Sequence, residues 1–220
     1  MLLPMLRLAL LACLTAPPAR ACETALVLSI DVSGSIDAGD YRLQADGLAA
    51  ALADPEVAEA LVRGQIALAV VQWSGPAQQV LAIDWQRMLT PQAVSAFAAS
   101  AAAMPRAFKG SDTAVGLGLG FALDQFAAVP DCVRRVVDIS GDGPENAGFT
   151  DAEARFAAVT AGVMVNAVAI EEPGPASPVT SYYRAWVITP GGFAVTARGF
   201  ADYARMLRTK LLRELVDPVG

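Results

Sequence analysis

The chain has 220 residues, 55% of them hydrophobic and 17% charged, enough apolar content for one domain with a substantial buried core. Its formal net charge is −6 and it holds no Lys/Arg run, which argues against nucleic acid and anionic membrane surfaces as partners. It contains no histidine, which excludes Ser-His and Cys-His nucleophile pairs, His-ligated zinc and any imidazole general base.

Residues 1–21 stand apart from the rest of the chain. An apolar stretch from Leu8 to Leu14 comes after Arg7, then Pro17, Pro18 and the small-x-small run Ala19-Arg20-Ala21. An apolar run this short fits a cleavable secretory signal rather than a bilayer anchor. Cleavage after Ala21 makes Cys22 the first mature residue and leaves 14 basic against 22 acidic residues, a net charge of −8. The expectation is an exported protein, periplasmic or secreted, with no membrane insertion after cleavage. A lipid-modified Cys22 is the rival reading. It normally wants a Leu three residues earlier, where Ala19 stands, and Cys13 after Leu10-Leu11-Ala12 fits that pattern better.

Residues 22–220 read as a single domain, without repeat or dividing linker. Apolar β-rich runs alternate with helical patterns, which implies a mostly parallel sheet covered on both faces. Thr24–Ile30 is a near-continuous apolar run, as a central buried strand should be. A helix is predicted over Tyr41–Leu52, broken by Asp54-Pro55, and a short one over Glu56–Val62. Gln65–Trp73 and Gln78–Asp84 read as strands joined by Ser74-Gly75-Pro76, too short for a crossover, hence an antiparallel edge hairpin.

Thr90-Pro91 opens a helix to Ala103, and another is predicted over Thr113–Ala127 with Val115, Leu119, Ala122, Leu123 and Phe126 on one face. Its Gly116, Gly118 and Gly120 each cost roughly 1 kcal/mol relative to Ala, so close packing against the sheet is expected. Val133–Ser140 is the next strand, Asp151–Ala161 a helix and Val163–Ile170 a strand. Glu171–Gly192, rich in Pro and Gly, reads as a long irregular stretch. A strand at Phe193–Thr196 and a helix over Phe200–Leu215 finish the domain.

Chemistry concentrates where strands end. Asp31, Ser33 and Ser35 offer three oxygens in five residues on a turn that Gly34 lets bend. Ligands of open α/β sheets bind outside the carboxyl ends of strands. Hard cations such as Mg2+ want octahedral oxygen ligation, so one loop cannot complete the shell. Two further loops qualify: Phe108-Lys109-Gly110-Ser111-Asp112-Thr113, ending in a hydroxyl, and Ile139-Ser140-Gly141-Asp142-Gly143, offering a carboxylate. Taken alone, Ser-Gly-Ser is common loop chemistry, Asp-Gly often marks a turn, and Thr113 fits a helix cap.

Together these loops resemble the von Willebrand factor type A (VWA) domain with its metal-ion-dependent adhesion site. Asp31, Ser33 and Ser35 match the family's Asp-x-Ser-x-Ser motif in full. Thr113-Ala114-Val115-Gly116-Leu117-Gly118-Leu119 resembles the second loop, and Val136–Gly143, with Asp142, the third. Trp73-Ser74-Gly75 and Ser140-Gly141-Asp142-Gly143 further resemble a bacterial exported branch of uncharacterised function. Ser111 is an alternative to Thr113, and Ser140-Gly141 inserts a residue in the usual third loop.

The resemblance implies a three-layer, doubly wound, Rossmann-like α/β fold with a mostly parallel sheet and one antiparallel edge strand. It implies a divalent cation, Mg2+ (or Mn2+ or Ca2+), at Asp31, Ser33, Ser35, Thr113 and Asp142. An acidic group of a protein partner would complete the coordination, which is recognition rather than catalysis. It also implies that the strands after Cys22 and Cys132 are parallel neighbours. That would put both cysteines at the opposite end of the sheet, where export would oxidise them to a disulfide. A lipidated Cys22 could not form that bond.

Other functions compete. Gly141-Asp142-Gly143-Pro144-Glu145-Asn146 resembles the last metal motif of haloacid-dehalogenase-type phosphatases, with Asp31 as nucleophile and Lys109 as phosphate-binding cation. That family places a second Asp two residues after the nucleophile as general acid, and Ser33 stands there instead. A serine hydrolase lacks both its Gly-x-Ser-x-Gly elbow and its His. A third reading keeps the fold and binds partners without metal through Tyr182, Tyr183 and Trp186, residues that could equally pack over the sheet edge.

Overall fold

A computed structural model describes residues 22–109, 112–172 and 178–216. The predicted signal segment, the alternative ligand Ser111 and part of the irregular stretch lie outside the described residues.

The chain order is β1 (Thr24–Asp31), α1 (Ala38–Ala53), α2 (Pro55–Arg63), β2 (Ala67–Trp73), β3 (Gln79–Arg87), α3 (Pro91–Ala103) and α4 (Val115–Asp124). Next come β4 (Arg134–Gly141), α5 (Asp151–Thr160), β5 (Met164–Glu171), α6 (Val179–Tyr182), β6 (Ala194–Arg198) and α7 (Tyr203–Val216). The strands form one sheet in the order β3-β2-β1-β4-β5-β6. Every pairing is parallel except β2 with the edge strand β3.

Alternation along β1 divides the core into two layers, because successive side chains of a strand point to opposite faces. Leu26, Leu28 and Ile30 pack with Leu48, Leu52, Leu61, Phe97 and Leu211 of α1, α2, α3 and α7. Ala25 and Val27 join Val115, Leu119, Ala154, Ala158 and Tyr183 on the other side. The chain leaves β1 toward β2 on one side, and β4 lies on the other. The sheet's switch point therefore falls between β1 and β4, where Ile30 is level with Ser140.

Local chemistry sets the helix ends. Asp37 Oδ1 accepts from Gly39 and Asp40 N–H at 2.6 and 2.8 Å, so α1 begins at Ala38 rather than at Tyr41. Thr90 caps α3 by accepting from Ala93 N–H at 3.1 Å, with Pro91 in the first turn, as expected. Helix α4 begins only at Val115, and no side chain caps it. Its glycines divide in role. A Cβ on Gly118 would stand 2.5 Å from the Trp73 ring, and one on Gly116 2.3 Å from Thr150 backbone at the start of α5; at Gly120 it would meet open space. The expected close packing thus holds at two positions, one against the sheet and one against a helix.

Glu171–Gly192 is not wholly irregular. It contains α6 and a π-helical turn over Tyr183–Val187. Val179, Tyr183 and Val187 are buried at intervals of four, which is helical spacing. Neighbouring Pro and Gly residues obscure that pattern in the sequence.

Cys22 and Cys132 form a disulfide at the amino-terminal end of β1 and β4, with a sequence separation of 110. A second cross-link lies in the core. Asp138 of β4 is level with Asn166 of β5. Lys210 of α7 is fully buried and forms ion pairs with Asp138 and with Glu214 Oε2, the latter at 2.9 Å. Asn166 donates to Glu214 Oε1 at 2.8 Å and accepts from Phe193 N–H at 2.9 Å. Burial pushes the Lys210 pKa down, and the Glu214 carboxylate opposes that shift.

Urea unfolding tests both cross-links. Replacing Cys22 and Cys132 by Ser should cost about 2–4 kcal/mol, because the bond closes a long loop in the unfolded chain. An unchanged midpoint would contradict the bond. Lys210→Met should cost about 3–5 kcal/mol, since it leaves Asp138 and Glu214 buried without their cation. Changing Asp138 and Glu214 to apolar residues as well should recover most of that loss.

Candidate metal centre

Strand β1 delivers Asp31 to the switch point with its side chain fully buried. Asp31 Oδ1 accepts the Ser33 N–H at 2.8 Å, which folds the chain sharply after the strand. Gly34 and Ser35 are exposed at the tip of that turn. The turn is braced from beneath by Arg106, whose Nη2 donates to the Val32 and Ser33 carbonyls at 2.9 and 2.8 Å.

The loop before α4 brings Thr113, whose Oγ1 donates to Ser33 Oγ at 3.1 Å. Here the cap reading of Thr113 fails: its hydroxyl faces Ser33, and α4 has Ala114 at its cap position instead. The loop after β4 brings Asp142, whose Oδ1 accepts from Ser35 Oγ at 2.8 Å. The structure therefore gathers Asp31, Ser33, Ser35, Thr113 and Asp142 into one crevice.

The electrostatics of this crevice are unbalanced. Burial, and then the nearby Asp142 carboxylate, push the Asp31 pKa up to about 7, while its hydrogen bonds from Ser33 and the Arg106 charge oppose the shift. Burial also raises Asp142, with Asp40 adding to it and the Ser35 hydrogen bond opposing. Asp31 Oδ2 is buried without a hydrogen-bond partner. Buried polar atoms are normally paired, so this one calls for a reason.

The donor set is all oxygen, two carboxylates and three hydroxyls, which is what hard divalent cations take. Gly141 keeps the space beside Asp31 clear: a Cβ there would lie 2.9 Å from Asp31 Oδ2 and 2.4 Å from the Tyr183 hydroxyl. The residues thus fit a divalent cation. Among the described residues no three Asp, Glu, His or Cys side chains gather, so an ion here would depend on the hydroxyls.

Asn146 and Glu145 hold the third loop against the second. Asn146 Oδ1 accepts from Thr113 N–H at 2.8 Å, and Asn146 N–H donates to the Thr113 carbonyl at 2.9 Å. Glu145 accepts from Gly116 N–H at 3.0 Å, Thr150 N–H at 2.9 Å and Asp151 N–H at 3.0 Å, tying together the first turns of α4 and α5. Negative charge there also suits the helix dipoles. These two residues, read in sequence as part of a phosphatase-like motif, are committed to backbone groups.

Arg106 and Tyr183 carried no motif signal. Tyr183 is buried beside Asp31, and burial, with Asp31 adding, raises its hydroxyl pKa well above the ordinary value. Of the three aromatics considered as a metal-free surface, Tyr183 is core, Tyr182 is half-buried and donates to Asp151 at 3.0 Å, and Trp186 is 53% exposed. Lys109 is exposed. Among the described residues no helix is long and apolar enough to cross a membrane.

A family model described as "Protein of unknown function (DUF1194)" matches residues 21–219. No curated protein matches the sequence. Among solved structures, proximal thread matrix protein 1 (PTMP1) from the mussel byssus is similar at a TM-score of 0.64 and 21% identity, covering 87% of this chain and 47% of that one. A further PTMP1 structure is described as having a zinc-occupied MIDAS motif. The von Willebrand factor type A structure from Catenulispora acidiphila gives 0.62 and 19% identity, over 89% of this chain and 43% of that one. The vWF domain of the type V pili tip protein Mfa5 from Porphyromonas gingivalis gives 0.63 and 10% identity, over 92% and 98%. The chain thus spans less than half the length of the PTMP1 and Catenulispora chains, and at these identities the likeness is one of fold. The chain belongs to the DUF1194 family of proteins of unknown function, and its fold is that of a von Willebrand factor type A domain.

Proposed function

We propose that this protein is an exported recognition module that holds one divalent cation, Mg2+ in the first instance and alternatively Mn2+ or Ca2+. The holding residues are Asp31, Ser33, Ser35, Thr113 and Asp142, and the partner is a protein that presents a carboxylate. The single observation that carries this reading is Asp31 Oδ2, a buried carboxylate oxygen without a hydrogen-bond partner in an all-oxygen crevice. When bound, the cation supplies an electrophilic position that a partner's carboxylate can fill.

The chain's own residues do the rest. Asp31 and Asp142 supply two negative charges and the three hydroxyls none, so a divalent ion is neutralised without being crowded by anions. Asn146 and Arg106 fix the second and first loops in advance, so little ordering remains to be done on binding. The likeness to a byssus matrix protein and a pilus tip domain supports an adhesive or scaffolding role. The disulfide suits an oxidising compartment, and with the signal-like residues 1–21 it supports export to the periplasm or beyond. The phosphatase alternative gains nothing from the geometry, since Glu145 and Asn146 bond to backbone groups.

Calorimetric titration with Mg2+ and Mn2+ tests the metal reading. Saturable one-site binding is expected in the wild type and none in Asp31→Asn; equal binding by both proteins, or none by the wild type, would sink it. In chelator, Asp31→Asn should melt no lower than wild type, because it removes a buried charge that one hydrogen bond and the Arg106 charge balance only in part. Asn146→Ala keeps all of the proposed ligands but frees Thr113, and should weaken binding about 10–100-fold.

A further inference from the structure

Phe149 carries two local costs. It is 79% exposed, the largest exposure among the exposed large hydrophobic side chains described, and its backbone has φ +53°. Apolar area in water is unfavourable, and the left-handed region is uncommon for a bulky residue. The other non-glycine residues with positive φ among those described are Gln65 and Ala77, polar and small residues in tight turns. Gly148 before it has φ +90°. A Phe so placed contributes little packing to the fold, and strain of this kind persists where surrounding structure imposes it.

The surroundings do impose it. Phe149 lies on the loop that begins at Asp142. The residue after it, Thr150, donates its N–H to Glu145, and Asn146 before it is clamped to Thr113. The Gly148 backbone stands against Leu117 of α4, whose Cδ1 would be 3.2 Å from a Cβ at Gly148. The loop that carries Asp142 thus presents one exposed ring, with fastened residues on either side of it. Leu43, Leu89, Val133, Phe156, Val159, Trp186 and Val216, also exposed, lie outside the loops that carry the candidate ligands.

Charge gives this ring a purpose. A divalent ion held by Asp31 and Asp142 would be formally neutralised, and the further charges nearby, Asp40 by Asp142 and Arg106 by Asp31, offset each other. An arriving carboxylate then gains little long-range attraction, and further affinity has to come from a neutral contact beside the ion. We propose that Phe149 is that contact: the partner presents an apolar side chain next to its carboxylate, and Phe149 selects for it. The inference rests on the metal reading above.

The test uses the oxidised, Mg2+-loaded protein with acetate and 3-phenylpropionate as probes, each titrated by NMR, in wild type and Phe149→Asn. Asn tolerates the left-handed backbone. In the wild type 3-phenylpropionate should bind about tenfold tighter than acetate, and most of that advantage should vanish in Phe149→Asn. The variant should keep its Mg2+ affinity and melt no lower than wild type. An undiminished advantage in the variant, or none in the wild type, overturns the role of Phe149 and leaves the metal reading standing. A fall of several degrees in its melting temperature would make Phe149 a structural residue and equally overturn the proposal. Failure of acetate to bind in a Mg2+-dependent way removes the carboxylate reading itself, and this inference with it.

Discussion

A carboxylate buried at the end of a central strand has to be neutralised by a proton, a cation or a dense set of hydrogen bonds, because an isolated charge is costly in a low-dielectric interior. Asp31 has one strong hydrogen bond, from the Ser33 amide, and a second carboxylate for a neighbour. Much around it answers to that imbalance. Gly141 gives it room, Arg106 supplies partial compensation while committed to two carbonyls, and Ser33 and Ser35 turn hydroxyls toward the same crevice. The fold tolerates a locally unfavourable arrangement at the place where a ligand would relieve it. That is where natural sequences depart from local consistency.

The sheet supplies the geometry and the loops supply the precision. Parallel pairing of β1 with β4 puts the two acidic strand ends side by side, and the switch in chain direction leaves an opening between them. The second loop arrives from a different part of the chain and needs an anchor. Asn146 provides it by holding both the N–H and the carbonyl of Thr113. Helix α4 has Ala114 at its cap position and so lacks a capping side chain, and Glu145 supplies an acceptor to its first turn from another loop. One short run, Asp142–Asn146, thereby combines a candidate ligand with the fastening of its neighbours.

Features encoded over a few residues were legible in the sequence. Asp31-x-Ser33-x-Ser35 lies on one turn, the strands are apolar runs, and the short Ser74-Gly75-Pro76 connection announces the antiparallel edge. The apolar pattern begins at Tyr41 and puts the α1 start too late, although the local signal, Asp37 and Asp40 in a capping box, stands just before it. Helical structure over Val179–Val187 is written at four-residue spacing but lies among breakers. Long-range partners were not legible. Arg106 reaches the Val32 carbonyl across 74 residues of sequence, and Asn146 reaches Thr113 across 33, so no local pattern could pair them. The disulfide was readable only through a topology that makes β1 and β4 neighbours.

That bond has a mechanical meaning. Cys22 and Cys132 tie β1 to β4 at the end of the sheet remote from Asp31 and Asp142. A load applied between the Cys22 end and a partner seated at the crevice would run lengthwise through the two strands. It would enter both through the covalent tie rather than through β1 alone. The two strands would then share the load in parallel, and the ladder of hydrogen bonds between them would carry little of it. A module built this way can bear tension along its strands while the helices on either face carry little of it.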